Sequence, residues 1–320
     1  MAQPRQSLSR LFLNKQTSEE ARHQAQLQAL AKAAHGKPFV LDDAPLRMMY
    51  LTPDCMQSAM RTDMPSHLLC AYSRAMMGFL LFNSQPEHIV LIGLGGGSLV
   101  KYCYEHFPQC RITAVEIDAD VIALRDSFGI PADNTRLQII HADAVDWLPQ
   151  QQCEADVIFL DAYDVNGLVP ALNSDYFYAI CYQQLSEHGV LVANVWGKPS
   201  VIAPMLTRLH HQFQHQVWWS KSADSYNLLV FTSKAAAHSD VDAPCKLLDD
   251  ALINQHPTLA LRALSASLHY SPHQASATAA EISLNESLQA QLRTLLVADS
   301  RVPQDYAGFR SLVLNATASA

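Results

Sequence analysis

The sequence predicts an α/β protein whose core is a parallel, doubly wound sheet. From residue 87 onward, short apolar strands alternate with helical segments, which is the pattern of repeated β–α units. The strand expected at 155–161 is almost entirely apolar, as in strands that helices cover on both faces. A chain of 320 residues that is 49% hydrophobic and 16% charged can bury such a core.

The segment before residue 87 predicts a helix and a small antiparallel sheet. Thr17-x-x-Glu20 fits a capping box, and the helix that follows is expected to end at Gly36. Turn residues then separate three short extended runs, and Ser66 begins an apolar helix that reaches about Phe82. The extended runs are 38–41, 46–51 and 55–61.

Strands and helices alternate through the next 150 residues. Strands are expected at 88–93, 111–117, 136–141, 155–161 and 189–195, with a final pair at 217–220 and 226–233. Helices are expected at 98–107, from 119, at 174–187 and at 201–213. The chain therefore divides into a helix with a small β-domain (1–85), the doubly wound domain (86–235), and a linker with a helical appendage (236–320).

Composition excludes several classes of protein. Lysine and arginine number 22 against 30 acidic residues, and this net charge of −8 argues against a nucleic-acid binder. The longest apolar stretch, 68–82, is too short to span a bilayer, and no export signal precedes it, so a cytoplasmic protein is expected. The seven cysteines form no CxxC pair, so neither a disulfide framework nor a metal site is expected.

A glycine-rich turn follows the first strand of the large domain. Gly93-Leu-Gly95-Gly-Gly97-Ser98 joins the strand to a helix, and glycines there let the backbone approach a ligand. A nicotinamide fingerprint requires glycine in place of Ser98, whereas the G-x-G-x-G form fits the nucleotide loop of class I S-adenosylmethionine folds. A tight strand–helix turn without a ligand stays open as the alternative.

Acidic residues end the next two strands. Glu116 lies about 20 residues beyond the loop, where related folds place a carboxylate on ribose hydroxyls. Asp118 is interpreted as a helix cap, and Asp143 either accepts from an adenine amino group or caps the following helix. Glycines, Glu116 and Asp143 on consecutive strand ends predict an adenosine site.

The fourth strand ends in Asp161-Ala-Tyr163-Asp164. Two carboxylates at this edge of the sheet can orient a cationic amine, and one can accept its proton. The alternative interpretation is a turn rich in aspartate with no role in chemistry.

These motifs occur in the order found in spermidine synthases, the polyamine aminopropyltransferases, which the chain resembles over about residues 45–235. The resemblance implies a Rossmann-like domain of the class I S-adenosylmethionine type, usually in a homodimer or tetramer. It also implies decarboxylated S-adenosylmethionine as co-substrate, a small cationic amine such as putrescine as acceptor, and no metal. The motifs that carry it are 93–98, 115–118, 141–144, 161–164 and 173–178.

Roles carried over from the family follow residue by residue. Asp161 would be the base and Asp164 the holder of the substrate ammonium, with His67 and Tyr163 on the acceptor side. The donor would contact Gln57, Gly93, Gly95, Gly97, Glu116 and Asp143.

Three departures from the family pattern leave the reaction open. Gly96 stands where the family loop has an aspartate that pairs with the aminopropyl ammonium, which makes room for the carboxylate of ordinary S-adenosylmethionine. Ala-Tyr replaces the small polar pair between Asp161 and Asp164, and Ser66 replaces an acceptor-side tyrosine. An S-adenosylmethionine-dependent methyltransferase and a degenerate nucleoside-binding homologue are therefore the alternatives.

Overall fold

The α/β architecture expected from the sequence is confirmed by a computed structural model. It contains an eight-stranded mixed sheet flanked by helices, preceded by a three-stranded antiparallel sheet. The structure describes residues 5–164, 167–214, 216–234, 247–270, 279–296, 302–303 and 306–316.

The small sheet follows one long helix. Helix α1 (Arg5–Ala34) precedes β1 (Phe39–Asp43), β2 (Leu46–Thr52) and β3 (Cys55–Arg61), which pair in that order. The capping box predicted that the helix starts near residue 17, and this prediction was wrong. The helix starts at Arg5, because residues 5–16 include no glycine or proline and can continue it toward the N-terminus. The expected stop is confirmed: Gly36 has a φ of +84°.

The helix expected from residue 66 is shorter than its apolar pattern indicates. Helix α2 (Ala71–Met76) starts five residues later and tightens into a 3₁₀ turn. The Arg74 guanidinium donates to the carbonyl oxygens of Leu68 and Leu69 at 2.8 and 2.7 Å. These bonds keep residues 68 and 69 outside the helix.

The large sheet has the order β13-β11-β12-β10-β7-β4-β5-β6, in which β10, β7, β4, β5 and β6 are parallel and the other pairings are antiparallel. The chain leaves β4 toward β5 on one side and reaches β7 on the other, so the strand order reverses beside β4. Ligands bind at such a reversal in open α/β sheets. The strands of the large sheet are β4 (His88–Ile92), β5 (Arg111–Glu116), β6 (Leu137–His141), β7 (Ala155–Leu160), β10 (Leu185–Val195), β11 (Val217–Lys221), β12 (Leu228–Ser233) and β13 (His269–Tyr270). A separate two-stranded antiparallel sheet consists of β8 (Tyr163–Asp164) and β9 (Gly167–Leu168).

Helices cover both faces of this sheet, and an apolar cluster fills each side. The β-strand β10 begins four residues before its expected start, at the end of α6. The helices are α3 (Ser98–His106), α4 (Ala119–Ala123), α5 (Ala144–Trp147), α6 (Asp175–Gln184), α7 (Pro199–Gln212), α8 (Asp250–Gln255), α9 (Leu261–Ser267), α10 (Ala279–Leu295) and α11 (Tyr306–Ala316).

The C-terminal appendage is helical, as expected, but it also adds β13 to the edge of the large sheet. Helix α10 packs on α7, whereas α11 packs on α1 beside the small sheet. The predicted linker at 236–244 lies outside the described residues. No helix in the described part of the chain is long and apolar enough to cross a membrane.

Candidate active site

A cavity of about 400 Å³, here called the donor cavity, lies at the carboxyl ends of β4, β5, β6 and β7. The small sheet supplies one wall through residues of β2 and β3. Among the residues that line it are most of those expected from the sequence: Gln57, Gly93, Gly95, Glu116, Asp143, Asp161, Tyr163 and Asp164.

The glycine loop allows the turns after β4 and β7 to touch. Gly93, Gly95 and Gly97 have φ values of +93°, +50° and +64°. A Cβ on Gly93 would lie 2.2 Å from the carbonyl oxygen of Asp161. Gly97 is the N-cap residue directly before α3. It packs against Ile130 and is outside the cavity lining, so its role is in the turn.

Gly96 has no room for a side chain. A Cβ there would lie 2.6 Å from Ser58 Oγ and 2.7 Å from Phe128 Cδ1. Ser58 belongs to β3, and Phe128 is fully buried. The position that holds an aspartate in the family loop is therefore closed by packing from two other elements.

Backbone donors fix the Glu116 carboxylate beside the glycine loop. Its Oε2 accepts from the Leu94 N–H at 2.8 Å, and its Oε1 accepts from the Asp118 N–H at 2.9 Å. Each carboxylate oxygen keeps a further lone pair, which is what a ribose hydroxyl requires. The next residue, Ile117, is 64% exposed and lines the same cavity, so it offers an apolar surface to a flat ring. Ile117 was not among the residues predicted from the sequence, although an apolar residue between two acids at a strand end was the available signal.

Asp143 and Asp118 both cap helices. Asp143 Oδ1 accepts from the Val145 N–H, and Asp118 Oδ1 accepts from the Asp120 N–H, each at 2.8 Å. The capping interpretation is confirmed for both residues. Asp143 also lines the donor cavity, so its contact with adenine stays a prediction.

Asp161 lies at the end of β7 and is held by an amide chain from the neighbouring strands. The Asn194 side chain donates to Asp161 Oδ1 at 2.8 Å, and Asn227 donates to Asn194 Oδ1 at 2.8 Å. Burial raises the pKa of Asp161, and the bond from Asn194 opposes part of that rise. A carboxylate with a raised pKa is better matched to accepting a proton near neutral pH.

Neither asparagine was among the residues predicted from the sequence. The signal for Asn194 was a polar residue within the apolar run of β10. The sequence does not show that β10 pairs with β7, and that pairing is what brings Asn194 to Asp161. Asn227 precedes β12, and no local pattern connects it with Asp161.

Tyr163 uses its hydroxyl on the backbone. It donates to the Asn194 carbonyl oxygen at 2.7 Å and accepts from the Trp196 N–H at 2.8 Å. Burial raises the pKa of Tyr163 far above its usual value, so the phenol stays neutral. Tyr163 lines the cavity while fixing the end of β10, and Asp164 beside it is exposed at the rim.

Tyr72 is a wall of the donor cavity, one of the two places, core or pocket wall, where the sequence suggested it would lie. His67 lies outside the lining of the donor cavity, and its contact with substrate stays a prediction. Burial lowers the pKa of His67, with Arg74 and Arg61 adding to the effect. Tyr72 lines the cavity, whereas His67 does not. Burial raises the pKa of Tyr72, and the nearby charge of Asp161 raises it further.

No group of three histidine, cysteine or acidic residues within the described ranges is placed to hold a metal ion. The site therefore consists of a glycine loop, fixed carboxylates and one partly buried aspartate. A mixed sheet that carries such a loop at its point of reversal defines a Rossmann-like, methyltransferase-type fold.

Comparison with known proteins agrees with this class. The profile of the spermine/spermidine synthase domain matches residues 69–223. A polyamine aminopropyltransferase from Neisseria meningitidis serogroup A is 35% identical over 238 residues, which is 74% of this chain and 90% of the relative. The chain belongs to the spermine/spermidine synthase family, and it is a transferase.

Two solved structures share the fold at lower identity. A probable spermidine synthase from Corynebacterium glutamicum gives a TM-score of 0.57 at 17% identity, covering 75% of this chain and 94% of that one. The structure of human methyltransferase-like protein 13 in complex with SAH gives a TM-score of 0.50 at 21% identity. The match covers 65% of this chain and 96% of that one.

Proposed function

We propose that the protein transfers the aminopropyl group of decarboxylated S-adenosylmethionine to a small polyamine such as putrescine. The single observation that carries this proposal is the position of Asp161. Asp161 is partly buried and lines the donor cavity, its carboxylate accepts from Asn194, and its backbone carbonyl oxygen lies against Gly93. The relatives named polyamine aminopropyltransferases support the same reaction.

The donor half of the cavity suits an adenosyl group. Glu116 would accept from the ribose hydroxyls, Asp143 from the adenine amino group, and Ile117 would pack on the ring. Gln57 would line the donor pocket from the side of the small sheet. These contacts fix the sulfonium near the end of β7, where the reaction occurs.

The transfer step needs one base. The lone pair of a neutral primary amine attacks the methylene carbon next to the sulfonium, the carbon–sulfur bond breaks, and its electron pair neutralises the sulfur as a thioether. The new nitrogen–carbon bond leaves the nitrogen positively charged, and Asp161 accepts its proton. Asp164 at the rim would hold the ammonium of the incoming amine.

Gly96 favours a second candidate, methyl transfer from ordinary S-adenosylmethionine. The closed volume around Gly96 leaves the aminopropyl ammonium without the aspartate that the family uses there. Because Gly96 carries no side-chain carboxylate, this position would not repel the carboxylate of ordinary S-adenosylmethionine. The choice between the two donors is therefore the point to test.

Titration calorimetry with both donors and with methylthioadenosine tests the proposal. We expect tighter binding of the decarboxylated donor, together with putrescine-dependent release of methylthioadenosine. Tighter binding of the carboxylated donor and of its demethylated product would favour methyl transfer instead. If none of the three adenosine compounds binds, the result would contradict both aminopropyl transfer and methyl transfer and would favour a degenerate homologue.

A further inference from the structure

Strand β3 contains a β-bulge where it meets the donor cavity. Ser58 pairs with Met49 of β2, and Met56 pairs with the residue that follows Met49. Gln57 therefore has no partner across the pair. Side chains alternate between the two faces of a regular strand, and a bulge re-aims one of them. The bulge thus allows two consecutive polar residues, Gln57 and Ser58, to line the same cavity.

The Ser58 side chain lies against the glycine loop. Its Oγ is 2.6 Å from the position that a Cβ would take on Gly96, and its Cβ is 3.9 Å from the corresponding position on Gly95. Within the part of the chain that the structure describes, Ser58 Oγ makes no hydrogen bond. A hydroxyl in that state can accept one hydrogen bond from a ligand and donate another.

The other side of Gly96 is closed. Phe128 Cδ1 lies 2.7 Å from the same Cβ position, and the ring is fully buried. Lys101 of α3 donates from its Nζ to the Phe128 carbonyl oxygen at 2.7 Å, which fixes the loop that carries this ring. Ser58 lines the donor cavity, whereas Phe128 does not. A ligand that reaches this part of the glycine loop therefore meets the Ser58 hydroxyl.

The strand order places this hydroxyl beside the middle of a bound donor. Glu116 ends β5 and Asp161 follows β7, and β4 lies between those two strands in the sheet. The glycine loop after β4 therefore lies between the two carboxylates. A donor with its ribose at Glu116 and its reacting carbon near Asp161 must cross the loop, and the wall that faces the loop there is the bulge of β3.

We propose that Ser58 sets the donor preference of the chain by accepting a hydrogen bond from the ammonium at the end of the aminopropyl arm. This inference rests on the proposed function and deepens it, because it names the residue that recognises the transferred group. A neutral hydroxyl accepts from this ammonium without repelling the carboxylate of the ordinary donor. In the unmodified chain, the preference for the decarboxylated donor is therefore modest, below about tenfold.

Ser58→Ala tests the contact directly. Titration calorimetry compares the decarboxylated donor, S-adenosylmethionine and methylthioadenosine, which has no aminopropyl arm. Because the variant loses one hydrogen bond to a charged group, we expect it to bind the decarboxylated donor about tenfold more weakly. Its affinity for methylthioadenosine should stay within about twofold, which would also show that the adenosyl site is intact.

Ser58→Asp tests the preference. A carboxylate at this position pairs with the ammonium and repels a carboxylate on the same donor. The ratio of the two donor dissociation constants should therefore rise by at least about tenfold in favour of the decarboxylated donor. Ser127→Asp is the matched control, since Ser127 is exposed next to Phe128 and does not line the cavity. This control adds the same charge and should change the ratio by less than about twofold.

The outcomes for the inference and for the proposed function can be told apart. Unchanged affinity of Ser58→Ala for the decarboxylated donor would overturn the inference, and so would equal losses for all three compounds or a ratio that Ser58→Asp does not move. Putrescine-dependent release of methylthioadenosine by the unmodified chain tests the proposed function separately. Such release, with donor affinities that do not depend on Ser58, would uphold aminopropyl transfer alone. Donor affinities that depend on Ser58 as expected, without such release, would uphold the contact and contradict aminopropyl transfer.

Discussion

The side-chain amide of Asn194 donates to Asp161 across two neighbouring parallel strands, with 2.8 Å between Nδ2 and Oδ1. The bond fixes the orientation of a carboxylate whose pKa is raised by burial and partly lowered by this same donor. Asn227 in turn fixes Asn194 through an equally short bond. Asp161 and the two asparagines that support it therefore come from three separate strand regions of the large sheet.

Replacing Asp161 by asparagine should separate chemistry from donor binding. The amide keeps the shape of the side chain but accepts no proton, so we expect kcat to fall by about a thousandfold. Donor affinity should stay within about threefold, because the proposed role of Asp161 is on the acceptor amine and not on the donor. Calorimetry and single-turnover kinetics measure the two effects. A large loss of donor affinity would instead assign Asp161 to the donor pocket.

Glu116→Gln should give the opposite result. Glu116 accepts two backbone N–H groups and is expected to hold the ribose, so we predict donor binding weaker by about tenfold or more. With saturating donor, kcat should change by less than about threefold. The same calorimetric titration checks both variants. Unchanged donor affinity would remove Glu116 from the ribose contact.

Asn194→Ala should move the pH profile of kcat/KM. Asn194 lowers the pKa of Asp161, so removing this donor raises that pKa further. Because the base acts in its deprotonated form, the acidic limb of the profile should move to higher pH. Asn227→Ala, one bond further away, should move it less in the same direction. Two profiles with unchanged acidic limbs and reduced kcat would indicate a merely structural role.

Gly93→Ala should destabilise the fold through one contact. Both Gly93 and Gly36 have strongly positive φ values, +93° and +84°, so alanine is strained at either position. A Cβ at Gly93 would collide with the Asp161 carbonyl oxygen, whereas nothing lies within 4 Å at Gly36. We expect Gly36→Ala to cost about 1 kcal/mol and Gly93→Ala at least about 2 kcal/mol more. Urea denaturation of the pair measures the difference, and equal losses would contradict the collision.

Buried His256 should make stability depend on pH. Burial, with the nearby His106 adding to it, lowers the pKa of His256 to about 4. Between that value and its unfolded pKa of about 6.5, the unfolded chain binds the additional proton, so stability falls as pH decreases through this range. His256→Gln should flatten the fall in Tm between pH 6.5 and 5, and the exposed His188→Gln should not. Parallel curves for the two variants would contradict this.

The local signals in the sequence located most of the residues that line the donor cavity. Gly93, Glu116 and Asp161 each end a strand, and parallel strands bring such ends to one edge of a sheet whatever the rest of the chain does. The order of the motifs therefore predicted both the fold and the lining of the donor cavity.

Other features of the molecule depend on contacts between distant parts of the chain. Asn194 reaches Asp161 through strand pairing, and Tyr306 stacks on His23 at the opposite end of the sequence. No periodicity encodes such pairs, because each residue sits in an ordinary helix or strand. For the same reason the sequence did not predict that α11 packs on α1.

The closed volume at Gly96 also has an evolutionary consequence. Gly96→Asp alone would collide with Ser58 and Phe128, so an aspartate at this position requires space to be opened in β3 and in the loop that carries Phe128. A single substitution in the glycine loop and changes in these two distant segments would therefore depend on one another, which is the structural basis of epistasis.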